Sequence, residues 1–224
     1  MDHNGTVQAA DRIDEVNGLI AGALEYLRQK YSRTFHALTF KESGFLPGDE
    51  ELRIYAAGED PEKQTASVWI TQALEGERTM KDNYFAVLIM PAYLSAVREI
   101  CAALFDGARV FCSGFLESAF DSRLGADTKL DEALASGQRV TGNLFIYISV
   151  SGSELGESSQ KLEKAMRARG LCGLVSLIAL KDSGIEQVDD TNFSDTLRFH
   201  TDKQHYISNG ISSFYVGESV KTDE

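Results

Sequence analysis

The chain predicts an α+β fold, a mixed sheet with helices packed mainly on one face, because three patterns coexist in it. Apolar residues recur at helical spacing near the start. Short β-rich runs punctuated by Pro, Gly and Asp follow, and longer apolar runs then alternate with amphipathic stretches.

The first element is a helix over 9–31, where Ile13, Val16, Ile20, Leu24, Leu27 and Tyr31 recur at steps of three and four. Runs at 34–40 (TFHALTF), 51–57 (ELRIYAA) and 65–71 (TASVWIT) read as strands, and the turn residues between them make an antiparallel meander the simplest connection. The most apolar stretch, YFAVLIMPAYLSAVREICAALF, divides at Pro91 into a strand (84–90) and a helix whose first turn holds the proline. A membrane span needs about 20 apolar residues in succession. Arg98 and Glu99 interrupt this one, so no membrane span is expected.

Asp106 and Gly107 close the helix, and ARVFCSG supplies the next strand, which completes a strand-helix-strand unit. A second unit follows, with a buried-type strand at 143–150, a helix stopped by Gly170, and an apolar strand at 171–180. Near the end, Asn209-Gly210 between β-rich runs signals a C-terminal hairpin. A single domain over 1–224 is the expected organisation. The alternative is two similar α/β subdomains, 1–124 and 125–224, with the repeated units as a duplication.

Acidic residues number 34 against 22 basic, a net charge of −12, and this disfavours direct nucleic-acid binding, which depends on Lys and Arg displacing counterions. The first residues show no basic segment followed by an apolar run, so a cytoplasmic location is expected for the chain as given, with an extracytoplasmic one if a leader was removed. Cys101, Cys112 and Cys172 lie among apolar neighbours without metal-type spacing and read as small buried hydrophobes.

No pattern for a cofactor, metal or catalytic nucleophile reaches useful specificity, and no cofactor is expected. His200 and His205 stand five apart around Asp202, a step that shares neither a helix face nor a strand face without a tight turn. No G-x-S-x-G elbow occurs. SVSGSELGESS opens a helix after a strand, a place where backbone N–H groups favour anions, so Ser151, Gly152 and Ser153 are the candidate ligand-binding residues. The Walker spacing fails there, and Ser153 also reads as a helix cap with Glu154 and Glu157 facing the positive end of the helix dipole.

The passages ALEYLRQKYSRTFHALTF and KDNYFAVLIMPAYLSAVREI resemble segments of small uncharacterised Firmicutes proteins, many described as lipoproteins. The resemblance spans about 23–112 and implies a helix ending near YLRQKY, a strand meander, and DNYF before a second helix. It carries no residue role over to this chain.

These readings favour a non-enzymatic protein that binds another protein. One alternative is a small-molecule site at the strand-to-helix junctions Met90-Pro91 and Ser151 to Ser153. Another is an acidic inhibitor or mimic that binds a basic partner.

Overall fold

The computed structural model describes residues 3–42, 49–62, 64–72, 78–116, 119–195 and 206–217. His200, Asp202, His205 and the C-terminal residues 218–224 lie outside the described residues. The fold is α+β, as the sequence predicts, with two four-stranded sheets. The chain divides into two compact units, Met1–Leu88 with Ser118–Thr128, and Ile89–Glu117 with Lys129–Glu224.

In the first unit, α1 (His3–Tyr31) precedes an antiparallel meander of β1 (Phe35–Lys41), β2 (Glu50–Ala56), β3 (Ala66–Gln72) and β4 (Arg78–Asp82). The helix buries Leu19, Ala23, Leu27 and Tyr31, a stripe at steps of four, while Ile13 stays exposed. Length explains the difference from the stripe expected: at about 1.5 Å per residue the helix far outruns seven-residue strands at about 3.3 Å per residue, so the sheet covers only its second half. Ser32, with a positive φ of 53°, ends the helix, and its N–H donates to the Arg28 carbonyl at 2.9 Å. Alternation sends Leu52, Ile54, Ala56, Val68 and Ile70 into the core. The register shift between Ala37 and Thr39 leaves Leu38 unpaired in the edge strand β1, and such a bulge blunts an edge against further pairing.

The apolar run 84–90 is not a strand. It forms the first turns of α2 (Tyr84–Leu104), with Pro91 inside the helix. A continuous apolar run does not distinguish a buried strand from a buried helix, and the polar β4 just before it was the strand to find. Asp82 decides where the helix begins, since its Oδ1 accepts the Tyr84 N–H at 3.0 Å. The Ala86 N–H then donates to the Asn83 carbonyl at 2.9 Å. By length and composition α2 is apolar enough to cross a membrane.

Asp82 is fully buried, and its carboxylate is the hub of the unit. Oδ2 accepts from the Tyr26 hydroxyl and from Lys30 Nζ, each at 2.8 Å, and Oδ1 accepts from the Tyr31 hydroxyl at 2.6 Å. Lys30 has only 8% of its side chain exposed, so the ion pair is desolvated and its value lies in completeness of pairing. Burial, and then the Asp82 charge, push the Tyr26 and Tyr31 hydroxyls well above the usual tyrosine range.

The second unit holds β5 (Arg109–Phe115), α3 (Leu130–Ala135), β6 (Thr141–Ile148), α4 (Leu155–Ala168), β7 (Cys172–Leu180), α5 (Asp182–Ile185) and β8 (Tyr206–Val216). Its sheet has the order β5-β6-β7-β8. The central pair is parallel and joined by α4, the second strand-helix-strand unit of the sequence, and both outer pairs are antiparallel. The expected C-terminal hairpin is instead one strand: Asn209-Gly210 lies within β8, and the irregularity falls where Ile178 pairs with Ile211 and Leu180 with Tyr206. With β7 alongside, the residues between those pairs are taken up as a bulge and the chain does not turn back.

One face of this sheet packs on helices. Leu155, Leu162 and Met166 of α4 are buried, and the Ser159 hydroxyl, which donates to the Leu155 carbonyl at 2.9 Å, lies 2.9 Å from the Ser212 hydroxyl. Tyr93 of α2 is fully buried, meets Phe115 edge-on at 5.1 Å, and its hydroxyl donates to the Cys172 carbonyl. Gly142 makes room for it: a Cβ there would lie 2.6 Å from the Tyr93 hydroxyl oxygen and 2.7 Å from its Cζ.

Replacing Asp82 by Asn is expected to cost about 3–5 kcal/mol in urea unfolding, because Lys30 is left as an uncompensated buried charge. Adding Lys30→Met should restore part of that loss. Stability should also fall as pH rises past about 10, where tyrosines in the unfolded chain ionise while Tyr26 and Tyr31 stay protonated in the folded one. Tyr26→Phe/Tyr31→Phe, followed by alkaline unfolding monitored by tyrosinate absorbance, should flatten that slope. Gly142→Ala is expected to destabilise by about 1–3 kcal/mol through overpacking against Tyr93, with Gly142→Ala/Tyr93→Leu recovering part of it.

Candidate functional site

The three residues singled out in the sequence sit between β6 and α4, where Ser151 and Ser153 are exposed and Gly152 is half-buried. The Ser151 N–H and hydroxyl donate to Glu154 Oε2 at 3.0 and 2.6 Å, and the Ser151 and Ser153 hydroxyls lie 3.0 Å apart. The Ser151 bonds hold the Glu154 carboxyl below the usual carboxylate range. Glu154, rather than Ser153, is the cap residue of α4, and its side chain makes no capping bond. Polar groups that an incoming anion would use are thus held by a carboxylate of the chain itself. Met90 and Pro91, the other junction, lie inside α2 and form no strand-to-helix turn.

Both sheets leave part of a face open, and the two open faces differ chemically. On the β1–β4 sheet, His36 pairs with Tyr55 at 5.1 Å between ring centroids, and Trp69 lies between Glu51 and Lys81 in register. Charges of both signs among the aromatics make this a solvated face.

On the β5–β8 sheet the described residues cover the face away from α4 at one end only. There Phe111, Tyr147, Ile178 and Leu180 pack under Ile185 and Val188, and Phe193 stacks on Phe111 at 5.0 Å. The Tyr147 hydroxyl donates to the Phe193 carbonyl. Toward the other end the cross-strand row is Asn143, Leu174 and Tyr215, with Asn143 donating to the Ser113 hydroxyl on β5 at 2.8 Å. Leu174 is 39% exposed and Tyr215 42%. Leu116, bonded through its N–H to the Thr141 carbonyl, is 53% exposed, and the Arg139 guanidinium lies 5.5 Å from the Tyr215 ring centre. No acidic residue occupies this face in β5, β6, β7 or the described part of β8.

At the covered end a cleft of about 490 Å³ is lined by Asp106, Gly107, Arg109, Ser149, Ile185 and Glu186. Among the described residues no group of three His, Cys, Asp or Glu side chains is placed to hold a metal ion. None of the three cysteines is in a disulfide; Cys101 and Cys172 are buried and Cys112 partly so, and burial pushes the Cys101 thiol up to about 12. Glu59, which accepts from Arg33 at 2.7 Å and from the Tyr84 hydroxyl at 2.8 Å, ties the start of α2 to the turn after β2. The open sheet face was not legible in the sequence, since Leu174 and Tyr215 sit among apolar neighbours that point to burial. The cleft had no local signal, because its residues come from separate loops.

No protein-family model matches the chain, and no curated protein matches it. Among solved structures it is similar to a crystal structure of a DUF5037 family protein from Ruminococcus gnavus, with 13% identity over 88% of this chain and 91% of that one and a TM-score of 0.42.

Proposed function

We propose that this protein is a non-enzymatic interaction protein that docks a partner protein on the open face of its β5–β8 sheet. The observation that carries the reading is that Leu116, Leu174 and Tyr215 are exposed large hydrophobics on or beside strands that, among the described residues, contribute no acidic side chain, in a chain of net charge −12. Apolar surface of this kind is what protein interfaces bury at their centre, with Tyr and Arg enriched and acidic residues depleted. Asn143, Ser113 and Ser213 supply hydrogen-bonding groups around it. Arg139 at the margin selects a partner whose own apolar patch carries a carboxylate at its rim.

Immobilised protein is expected to capture such a partner from native lysate, and Leu174→Asp and Tyr215→Asp should each weaken capture by about tenfold or more. Because both side chains are partly buried, capture is compared only among variants whose thermal unfolding stays above the assay temperature. Capture indifferent to both substitutions would sink the reading, as would sedimentation showing that the face joins only two copies of this chain.

A further inference from the structure

We propose that the cleft at the carboxyl ends of β6 and β7 binds a small zwitterion, a ligand with a carboxylate and an ammonium group, such as a free amino acid or a short peptide. The cleft's position comes from the topology. Ser149 follows β6, Ile185 and Glu186 follow β7, and Asp106 and Gly107 lead into β5, where Arg109 is the first residue. Because β6 and β7 are parallel, their following loops emerge at the same end, the place where open sheets with crossover helices receive ligands. Antiparallel pairing of β5 with β6 sets Arg109 opposite Tyr147 near that end. Its volume of about 490 Å³ falls in the range of small-molecule sites.

The charges narrow the ligand class. Arg109 is anchored by one nitrogen, Nη1, which donates to the Val188 carbonyl at 2.5 Å, and its other donors have no hydrogen-bond partner among the described residues. Asp189, on the same loop, accepts the Thr191 N–H at 2.8 Å and hydroxyl at 2.6 Å and feels the Arg109 charge, but makes no ion pair with it among the described residues. Asp106 and Glu186 are exposed and make no ion pair among the described residues, with Arg109 or with any other cation. An anchored guanidinium and two unpaired carboxylates therefore share one cleft without neutralising one another. A simple anion would meet the two carboxylates, and a simple cation would meet the guanidinium. A ligand carrying both charges satisfies both, with its carboxylate on the Arg109 fork and its ammonium toward Asp106 and Glu186. Ser149 adds a hydroxyl, and buried Ile185 gives the cleft an apolar floor for a side chain. The site is separate from the open sheet face and does not depend on the reading given for it.

The test is calorimetric titration of the full chain with the common amino acids and glycylglycine, using acetate and methylammonium as singly charged controls. At least one zwitterion should bind saturably while both controls fail. Arg109→Gln and Glu186→Gln should each raise the dissociation constant about tenfold or more, the scale of one lost charge-assisted hydrogen bond. Among the described residues the Glu186 side chain makes no hydrogen bond or ion pair, so its substitution reads binding even if Arg109→Gln loosens the fold through Val188. Absence of saturable binding by every zwitterion overturns the proposal. Binding that acetate reproduces, or that survives the Glu186 substitution unchanged, overturns it as well.

Discussion

A single buried carboxylate organises the first half of this chain. Asp82 ends β4, just before α2, and its carboxylate can be buried only because Tyr26, Lys30, Tyr31 and the Tyr84 N–H all converge on it. Three of those donors come from two successive turns of α1, so the rotation of that helix about its axis is fixed as well as its position. The fourth is the first N–H of α2, one of the groups a helix leaves unsatisfied at its start. The Asp82 backbone carbonyl also accepts the Phe120 N–H at 3.2 Å, which brings the segment after β5 back to the first unit. One side chain thus sets a strand end, a helix start and the orientation of a second helix.

In the second unit the equivalent decision is made by packing. Tyr93 lies over Gly142, the residue with no Cβ in its way, and its hydroxyl reaches the Cys172 carbonyl on β7. That arrangement bridges β6 and β7 on the face where α4 also packs, and the crossover through α4 makes the pair parallel. The parallel pair has two consequences for surface chemistry. It gathers the loops after β6 and β7 at one end, which creates the cleft, and it lets the segment 181–195 fold back over only the near end of the opposite face. Among the described residues nothing covers the far end, where Leu174 and Tyr215 are partly exposed.

Much of the secondary structure was legible because it rests on local periodicity. The amphipathic α1, the alternating β1 to β3, the apolar β6 and β7, and the Gly170 stop after α4, with its positive φ of 68°, all follow from residue spacing and backbone preference. The places where the sequence misled share one cause. YFAVLIM and the Asn209-Gly210 pair carry strong local signals, yet each takes the conformation its neighbours require: a helix where Asp82 and Asn83 cap it, and a continuous strand where β7 is available to pair with it. Polar β4 was invisible for the complementary reason, since an edge strand of sequence RTMKD has little apolar alternation to read.

The candidate sites divide along the same line. The hydroxyls of Ser151 and Ser153 were visible as a motif, but only the fold revealed that Glu154 turns back onto Ser151. The segment holding Asp106 and Arg109 lies far in sequence from Ser149 and from Glu186, and the three meet only because strand order brings their loops to one end of the sheet. By itself, then, the sequence determined the α+β class, the positions of most elements, the burial of Cys101 and Cys172 and the strong negative charge, all of which depend on neighbours a few residues away or on composition alone. Tertiary structure decided the start of α2, the parallel pairing of β6 with β7, the bare half of the second sheet and the mixed-charge cleft, because each of these depends on which distant residues compete to satisfy the same buried hydrogen-bonding and apolar groups.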